Sequence, residues 1–364
     1  MQNIVQQFVI NNEVGKIHTV KTGHINDSFI VDSKYSGGES YFLQKINHHI
    51  FTDIAGLQQN IQIVTNHLQA KLAKNDERFI DRKVLQLIPT NEGKLYFEDD
   101  NGNFWRLYKN IQNAHSYDVI TPKLAYKAGK AFGSFQCLLS DIPHDELIET
   151  IPNFHNMEFR LKQFREAVNQ NTANRLDEVK ELVAEIEKRA HGMCQYQDLY
   201  RTGKLPKRIN HCDTKVNNIL FDDSDNVLCV VDLDTVMPGF VLSDFGDFMR
   251  SAGNNGKEDE KDLSKVSFNM EIFKSYTNGY FKSAKGFLTQ LEIGLLPYGA
   301  KLMTYMQLTR FLTDYLNGDT YYKINFPNHN LDRSKAQFKL LQSIEDYYTE
   351  MQAYIISINL QKVL

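Results

Sequence analysis

Between Ile209 and Thr235 a chain that is otherwise helical in texture from residue 110 onward reverts to strands. Ile219-Leu-Phe221 and Val227-Leu-Cys-Val-Val-Asp-Leu233 are short apolar runs on either side of the turn Asp222-Asp-Ser-Asp-Asn226. Apolar segments flanking an Asp/Asn cluster read as a β-hairpin. Polar residues crowd the two outer ends of that hairpin: His211, Asp213, Lys215 and Asn218 lead into it, and Asp232 and Asp234 lead out. One polar hairpin held inside a helical region constrains the architecture more than any other feature of the sequence.

The first hundred residues supply the complement. Lys16–Lys21, Ser28–Asp32 and Tyr41–Ile46 are short runs rich in β-branched or aromatic residues, separated by turn signals at Gly23 and Gly37-Gly38. Asp53 is placed to cap a helix to about Lys71, in which Ile54, Leu57, Ile61, Val64 and Leu68 repeat at helical spacing. Strands are expected near Lys83–Ile88, Lys94–Glu98 and Phe104–Lys109, two of them flanking the Asp99–Gly102 turn. Thr121-Pro122 reads as an N-cap with proline in the first helical turn, followed by the stripe Leu124, Ala128, Ala131, Phe132, Phe135, Leu139. Further helices are expected over Leu176–Ala190 and near 262–282, 288–296, 298–316 and 332–356. At about 100–200 residues per domain, 364 residues make two domains or one bilobal unit. The pattern makes it an α+β chain with a small strand-rich lobe at 1–110 and a large helical lobe at 111–364, with room for a ligand cleft.

Several classes of protein fall away. With 41 basic and 45 acidic residues the formal charge is −4, and no basic block suggests a nucleic-acid or membrane-surface partner. The N-terminus lacks the charged and apolar regions of a signal peptide, and no apolar run approaches a membrane span of about 18 residues. Cys137, Cys194, Cys212 and Cys229 are scattered without a CxxC pair, which favours reduced cysteines and a cytoplasmic protein.

The polar residues have the composition of a phosphoryl-transfer centre. Asn218 and Asp232 offer hard oxygen donors of the kind Mg²⁺ takes alongside water and phosphate. Asp213 can accept a hydroxyl proton and orient that hydroxyl for attack, and Lys215 can place positive charge on the transferring group. Asp234 reads either as a metal neighbour or as a polar loop residue.

His-Cys-Asp-Thr-Lys-Val-Asn-Asn-Ile-Leu-Phe (211–221), Val-Val-Asp-Leu-Asp-Thr (230–235) and Leu-Ser-Asp-Phe-Gly-Asp (242–247) resemble the aminoglycoside phosphotransferase/choline kinase superfamily. The resemblance implies a protein-kinase-like bilobal fold and binding of ATP with Mg²⁺. It also implies Asp213 as catalytic base, Asn218 and Asp232 as metal ligands, and Asp244 as a structural anchor. The segments 23–31, 41–51, 105–118 and 309–323 are similar to the N-acetylhexosamine 1-kinase branch, which phosphorylates the anomeric hydroxyl of GlcNAc or GalNAc.

From that branch come further expectations. Gly23 would lie in a turn over the nucleotide phosphates, against a plain hairpin turn. His24, Arg310 and Tyr321 would contact the sugar. A surface histidine at position 24 and an Arg310–Asp314 ion pair are the alternatives. Lys45 would pair with phosphate, against a solvent-facing lysine on an edge strand; the helix after it, Asp53–Lys71, carries no Glu to orient such a lysine. The activity expected is a sugar kinase on a small-molecule substrate. The alternatives are a same-fold kinase of another sugar, an amino alcohol or an aminoglycoside, and a nucleotide-binding pseudokinase.

Overall fold

The computed structural model describes residues 1–20 and 25–360. It divides into two compact units: residues 1–116, 141–152 and 218–237 form the first, and 117–140, 153–217 and 238–364 the second. The first is rich in strands and the second is helical, so the α+β class expected from the sequence is what the chain adopts. Where the sequence suggested one cut near residue 110, the strand-rich unit also takes in two later segments.

The strand-rich unit opens with the short helix α1 (Gln2–Val5). It then builds a mixed-length sheet from β1 (Val14–Val20), β2 (Asp27–Ser33), β3 (Tyr41–Ile46), β4 (Leu87–Ile88), β5 (Phe97–Glu98) and β6 (Phe104–Lys109). The order is β1-β2-β3-β6-β4, with β5 on β6 and antiparallel pairing between neighbours. Side chains alternate between faces at period two. Val31, Leu43, Trp105 and Leu107 share one face and bury it against Val5 and Phe8. Ser28, Gln44 and Arg106 take the other face, where the Gln44 amide bridges Ser28 Oγ and the Arg106 guanidinium.

Helix α2 (Ile54–Lys74) begins as expected, with the Asp53 carboxylate accepting from the Gly56 N–H at 2.8 Å. Its apolar positions Leu57, Ile61 and Val64 are fully buried. The two later segments join this unit through hydrogen bonds. The Asn60 amide donates to the carbonyls of Ile148 (2.9 Å) and Val236 (3.1 Å) and accepts from Ile148 N–H. Thr150 Oγ1 donates to the Asp234 carbonyl at 2.8 Å. The hairpin strands Ile219–Phe221 and Val227–Val230 pair as the sequence indicated.

The helical unit contains α3 (Pro122–Leu139), α4 (Met157–Gln170), α5 (Lys180–Arg201), α6 (Val241–Ala252), α7 (Met270–Ala284), α8 (Gln290–Leu316) and α9 (His329–Leu360). Thr121 caps α3 through Leu124 N–H, with Pro122 in the first turn. The two helices expected on either side of Pro297 are one continuous α8, whose N-terminus is a full capping box of Thr289 and Glu292. Pro297 removes one backbone donor, but burial of Leu296, Tyr298, Leu302, Tyr305 and Leu308 in the core outweighs that loss.

Helix α6 has no counterpart in the sequence reading, and its residues 241–250 are all buried. It reaches the core by backbone contact. A Cβ on Gly246 would overlap the Gly299 carbonyl of α8, and one on Gly299 would overlap the Leu242 carbonyl of α6. Among the described residues no helix is long and apolar enough to cross a membrane.

Gly246→Ala is therefore expected to destabilise the helical unit by about 1–3 kcal/mol or more through overpacking against backbone that has nowhere to go. Equilibrium denaturation tests this; a midpoint equal to the parent's would show that α6 and α8 are not in such close apposition.

Candidate active site

The loop carrying Asp213 is shaped by one buried carboxylate. Asp244, in the first turn of α6, accepts from the backbone N–H of His211 and of Cys212, both at 2.8 Å, and from the Gln136 amide at 2.8 Å. Thr214 Oγ1 donates to the Asp244 carbonyl at 2.5 Å. Gln136 is in turn held by the Tyr280 hydroxyl, which donates to its amide oxygen. Burial pushes the Asp244 pKa up to about 6, although the His211 imidazole and the N–H donors pull the other way. Cys212 takes a left-handed backbone (φ 63°), which turns the chain sharply before Asp213. His211 is fully buried against the rings of Phe132 and Phe135, and its Nδ1 accepts the Asp213 N–H at 3.3 Å.

This scaffold presents Asp213 with Lys215, whose ammonium lies 2.8 Å from the carboxylate. Burial acts to raise the Asp213 pKa, but the charge and hydrogen bond of Lys215, together with the charges of His211 and Arg250, hold the carboxyl below its ordinary range. Asp213 in turn raises the Lys215 pKa, and Asp247 adds to the effect. At neutral pH both groups are charged, so Asp213 is suited to orient a hydroxyl and to receive its proton as the hydroxyl oxygen is consumed.

Beside it in the same unit lies a group rich in guanidinium and aromatic rings. Arg310, on α8, stands over the rings of Phe154 (5.2 Å), Tyr322 (5.5 Å) and Tyr321 (5.8 Å). It has no carboxylate partner among the described residues, and its one hydrogen bond there is to Gln307 at 3.3 Å. The expected alternative, an Arg310–Asp314 pair, does not form. The Asp314 carboxylate instead accepts from the backbone N–H groups of Thr320 (2.9 Å), Tyr321 (2.8 Å) and Tyr322 (2.9 Å), and so fixes the turn that presents Tyr321. Tyr321 is 58 % exposed.

Arg160 uses its guanidinium on the Phe154 carbonyl and Gln163; burial, reinforced by the Arg310 charge, lowers its pKa to about 10. His155, stacked on Phe154, has its pKa lowered to about 3 by burial and by the charges of Arg310 and Arg160. Sequence reasoning found Arg310 and Tyr321 in this group and missed His155 and Arg160.

In the strand-rich unit the two expected metal ligands share one end of the hairpin. The Asn218 carbonyl accepts from Val231 N–H at 2.9 Å, and Asp232 follows as an exposed residue with left-handed backbone (φ 60°). An amide oxygen and an exposed carboxylate on adjacent chains fit the oxygen preference of Mg²⁺. Asp234, two residues further along the same loop, is a paired residue. It is buried and forms a two-pronged ion pair with Arg106, itself 1 % exposed, with Nη2 at 2.8 Å. The Asn26 amide donates to the same carboxylate at 2.6 Å. Burial works against the Arg106 charge, but Asp234, with Tyr108 and Asp232, more than offsets it and raises the pKa.

Lys45 is separated from this cluster. It lies between Gln44 and Ile46 on β3, opposite Trp105, and strand alternation turns it to the face of Leu43 and Trp105 rather than that of Gln44 and Arg106. β3 is interior to the sheet, so the edge-strand alternative does not apply either. Gly23 and His24 lie outside the described residues.

A strand-rich unit with a hairpin bearing Asn218 and Asp232, and a helical unit presenting an aspartate–lysine loop, are the parts of a small-molecule kinase. The chain belongs to the phosphotransferase enzyme family (APH), whose model matches residues 64–263, more than half of its length. Solved structures with the same fold include an aminoglycoside phosphotransferase from Alicyclobacillus acidocaldarius, at 10 % identity over 98 % of this chain and 96 % of that one (TM-score 0.64). The amicoumacin kinase hAmiN, in complex with AMP-PNP, Ca²⁺ and Ami, matches at 11 % identity over 93 % and 90 % (TM-score 0.59). An ethanolamine kinase from Plasmodium vivax matches at 14 % identity over 89 % and 82 % (TM-score 0.54).

The His155 environment gives a pH prediction. Its folded pKa is depressed below the unfolded value of about 6.5, so its contribution to stability is present above that pH and is lost as pH falls towards about 3. The His155 imidazole resonances should not titrate between about pH 5 and 8 in the folded protein. A normal midpoint near 6.5 in an NMR titration would refute the cationic surroundings described above.

Proposed function

We infer that the protein is an ATP- and Mg²⁺-dependent kinase that transfers the γ-phosphate to the anomeric hydroxyl of an N-acetylhexosamine. Membership of the phosphotransferase family supports the reaction class, and the AMP-PNP complex of amicoumacin kinase supports ATP as the donor. The observation that carries the acceptor class is electrostatic. Arg310 and Arg160 stand without carboxylate partners among the described residues, and His155 beside them is held neutral. A polycationic aminoglycoside or an ammonium-bearing amino alcohol would be repelled there, whereas a neutral sugar finds hydrogen-bond donors and aromatic rings.

In this reading Asp213 receives the proton of the attacking hydroxyl and aligns its oxygen. Lys215 balances charge on the transferring group. Asn218 and Asp232 would hold Mg²⁺, which supplies charge neutralisation on the β- and γ-phosphates. Tyr321, fixed by Asp314, and Arg310 would bind the sugar, with His24 from the segment outside the described residues. Lys45 is assigned no phosphate contact, because it shares the apolar face of Leu43 and Trp105.

The test is an acceptor panel of GlcNAc, GalNAc, glucose, galactose, ethanolamine and an aminoglycoside with Mg·ATP, followed by ADP release and phosphorus NMR of the product. Turnover is expected with the N-acetylhexosamines, giving the 1-phosphate. Turnover confined to an amine acceptor, or no ADP above background with any, would overturn the reading. Asp213→Asn should lower kcat by about 10²–10⁴-fold with little change in ATP affinity, and near-parental activity in that variant would remove Asp213 from its assigned role.

A further inference from the structure

The second aspartate of the Ser243–Asp247 motif is not accounted for by the scaffold. Asp247 lies three residues after Asp244 on α6, and positions three apart share a helix face. The first of these carboxylates is bonded to the loop that bears Asp213; the second therefore lies one turn along from that loop. Asp247 is 5 % exposed. Its Oδ1 accepts from the Arg250 guanidinium, from Nε at 3.0 Å and Nη2 at 2.9 Å. Its Oδ2 is fully buried and has no hydrogen-bond partner.

A buried carboxylate oxygen left without a donor is costly, and in a folded protein an ordered water or a ligand completes such a group. The charge of Asp247 is felt at Lys215, the partner of Asp213, which places it near the reacting centre. The buried Nδ1 of His155 is likewise without a partner, and its imidazole feels both Asp213 and Arg250. Two unpartnered buried polar atoms thus belong to side chains that interact electrostatically with one aspartate–lysine pair.

We propose that Asp247 is an acceptor-binding residue whose Oδ2 accepts a hydrogen bond from a ring hydroxyl of the sugar other than the one phosphorylated, with Arg250 fixing the carboxylate's orientation. The proposal rests on the reading of the Asp213 loop as the acceptor-activating centre. It makes Asp247 a specificity determinant: a site built to receive a hydroxyl rejects the analogue that lacks it, because the buried oxygen is then left unpaired.

The experiment measures kcat/KM for the best acceptor and for its 3-, 4- and 6-deoxy analogues, with the parent protein and with Asp247→Asn. Because Arg250 requires an acceptor, the amide oxygen of the variant faces it and an NH₂ donor replaces Oδ2. The parent should lose about 10- to 100-fold against one deoxy sugar. The variant should lose a similar factor with the full sugar, lose little more with that deoxy sugar, and keep its KM for ATP within about two-fold. A variant within about three-fold of the parent on the full acceptor, or one that discriminates against the same deoxy sugar as strongly as before, would overturn the proposal while leaving the kinase assignment intact. If the variant does not fold, the parent series still decides: no single deoxy position costing more than about three-fold refutes it. A parent inactive on every acceptor would bring down the underlying reading, and this one with it.

Discussion

The Asp244 carboxylate fixes the geometry on which the reactive loop depends. Two consecutive backbone N–H groups, from His211 and Cys212, point into it, and the Gln136 amide closes the set. Each of these donors would be an unsatisfied buried group without it. The left-handed turn at Cys212 is tolerated because those bonds over-determine it, and that turn presents Asp213. The carboxylate can occupy that place only because α6 comes within backbone distance of α8 at Gly246 and Gly299. A chemically ordinary requirement, the absence of two side chains, thereby supports the placement of a charged one.

Charges in the helical unit divide into those with partners and those without. Asp213 with Lys215 and Asp247 with Arg250 are paired within 3 Å. Each pair offsets part of its desolvation cost through its own attraction. Arg310 and Arg160 are different, for their donors face carbonyl and amide oxygens and aromatic faces. Unpaired guanidinium groups impose a direction on binding: they favour oxygen-rich neutral or anionic ligands and oppose amines. The net charge of −4 carries none of this, since it averages over a surface on which most ionic groups are exposed and screened.

What was legible in the sequence follows physical lines. The caps at Asp53 and Thr121 could be read because each is a local interaction, complete within four residues. The hairpin at 219–230 could be read for the same reason. Helix α6 could not. Its polar residues Ser243, Asp244, Asp247 and Arg250 do recur at helical spacing, but they are buried like its apolar ones, so the pattern marks no solvent-facing side of the kind a surface helix shows. Pro297 misled in the opposite sense, because propensity priced one lost hydrogen bond without the buried residues on either side. The pairing of Asp314 with backbone N–H groups rather than with Arg310 was equally hidden, since Arg310 is within helical reach and only the turn at 317–322 brings the N–H groups of Thr320, Tyr321 and Tyr322 to the carboxylate.

The absence of Glu from α2 looked like a missing part, on the premise that Lys45 needed an acidic partner to orient it. The sheet register removes the premise. Lys45 shares a face with Leu43 and Trp105, and the neighbouring Gln44 takes the polar face in its place. On that face the strong charge is Arg106, one strand over, and its counter-ion is Asp234, two residues after the expected metal ligand Asp232. Gln44 holds the guanidinium from one side, and Asn26 holds the carboxylate from the other. An ion pair spanning 128 residues of sequence therefore joins β6 to the loop after the hairpin. A planar guanidinium grips a carboxylate at two points where an ammonium would grip it at one. Arg106 thus fixes the orientation of the Asp234 side chain as well as neutralising it, and Asp232 leaves a loop anchored two residues away. A helix glutamate has nothing left to orient.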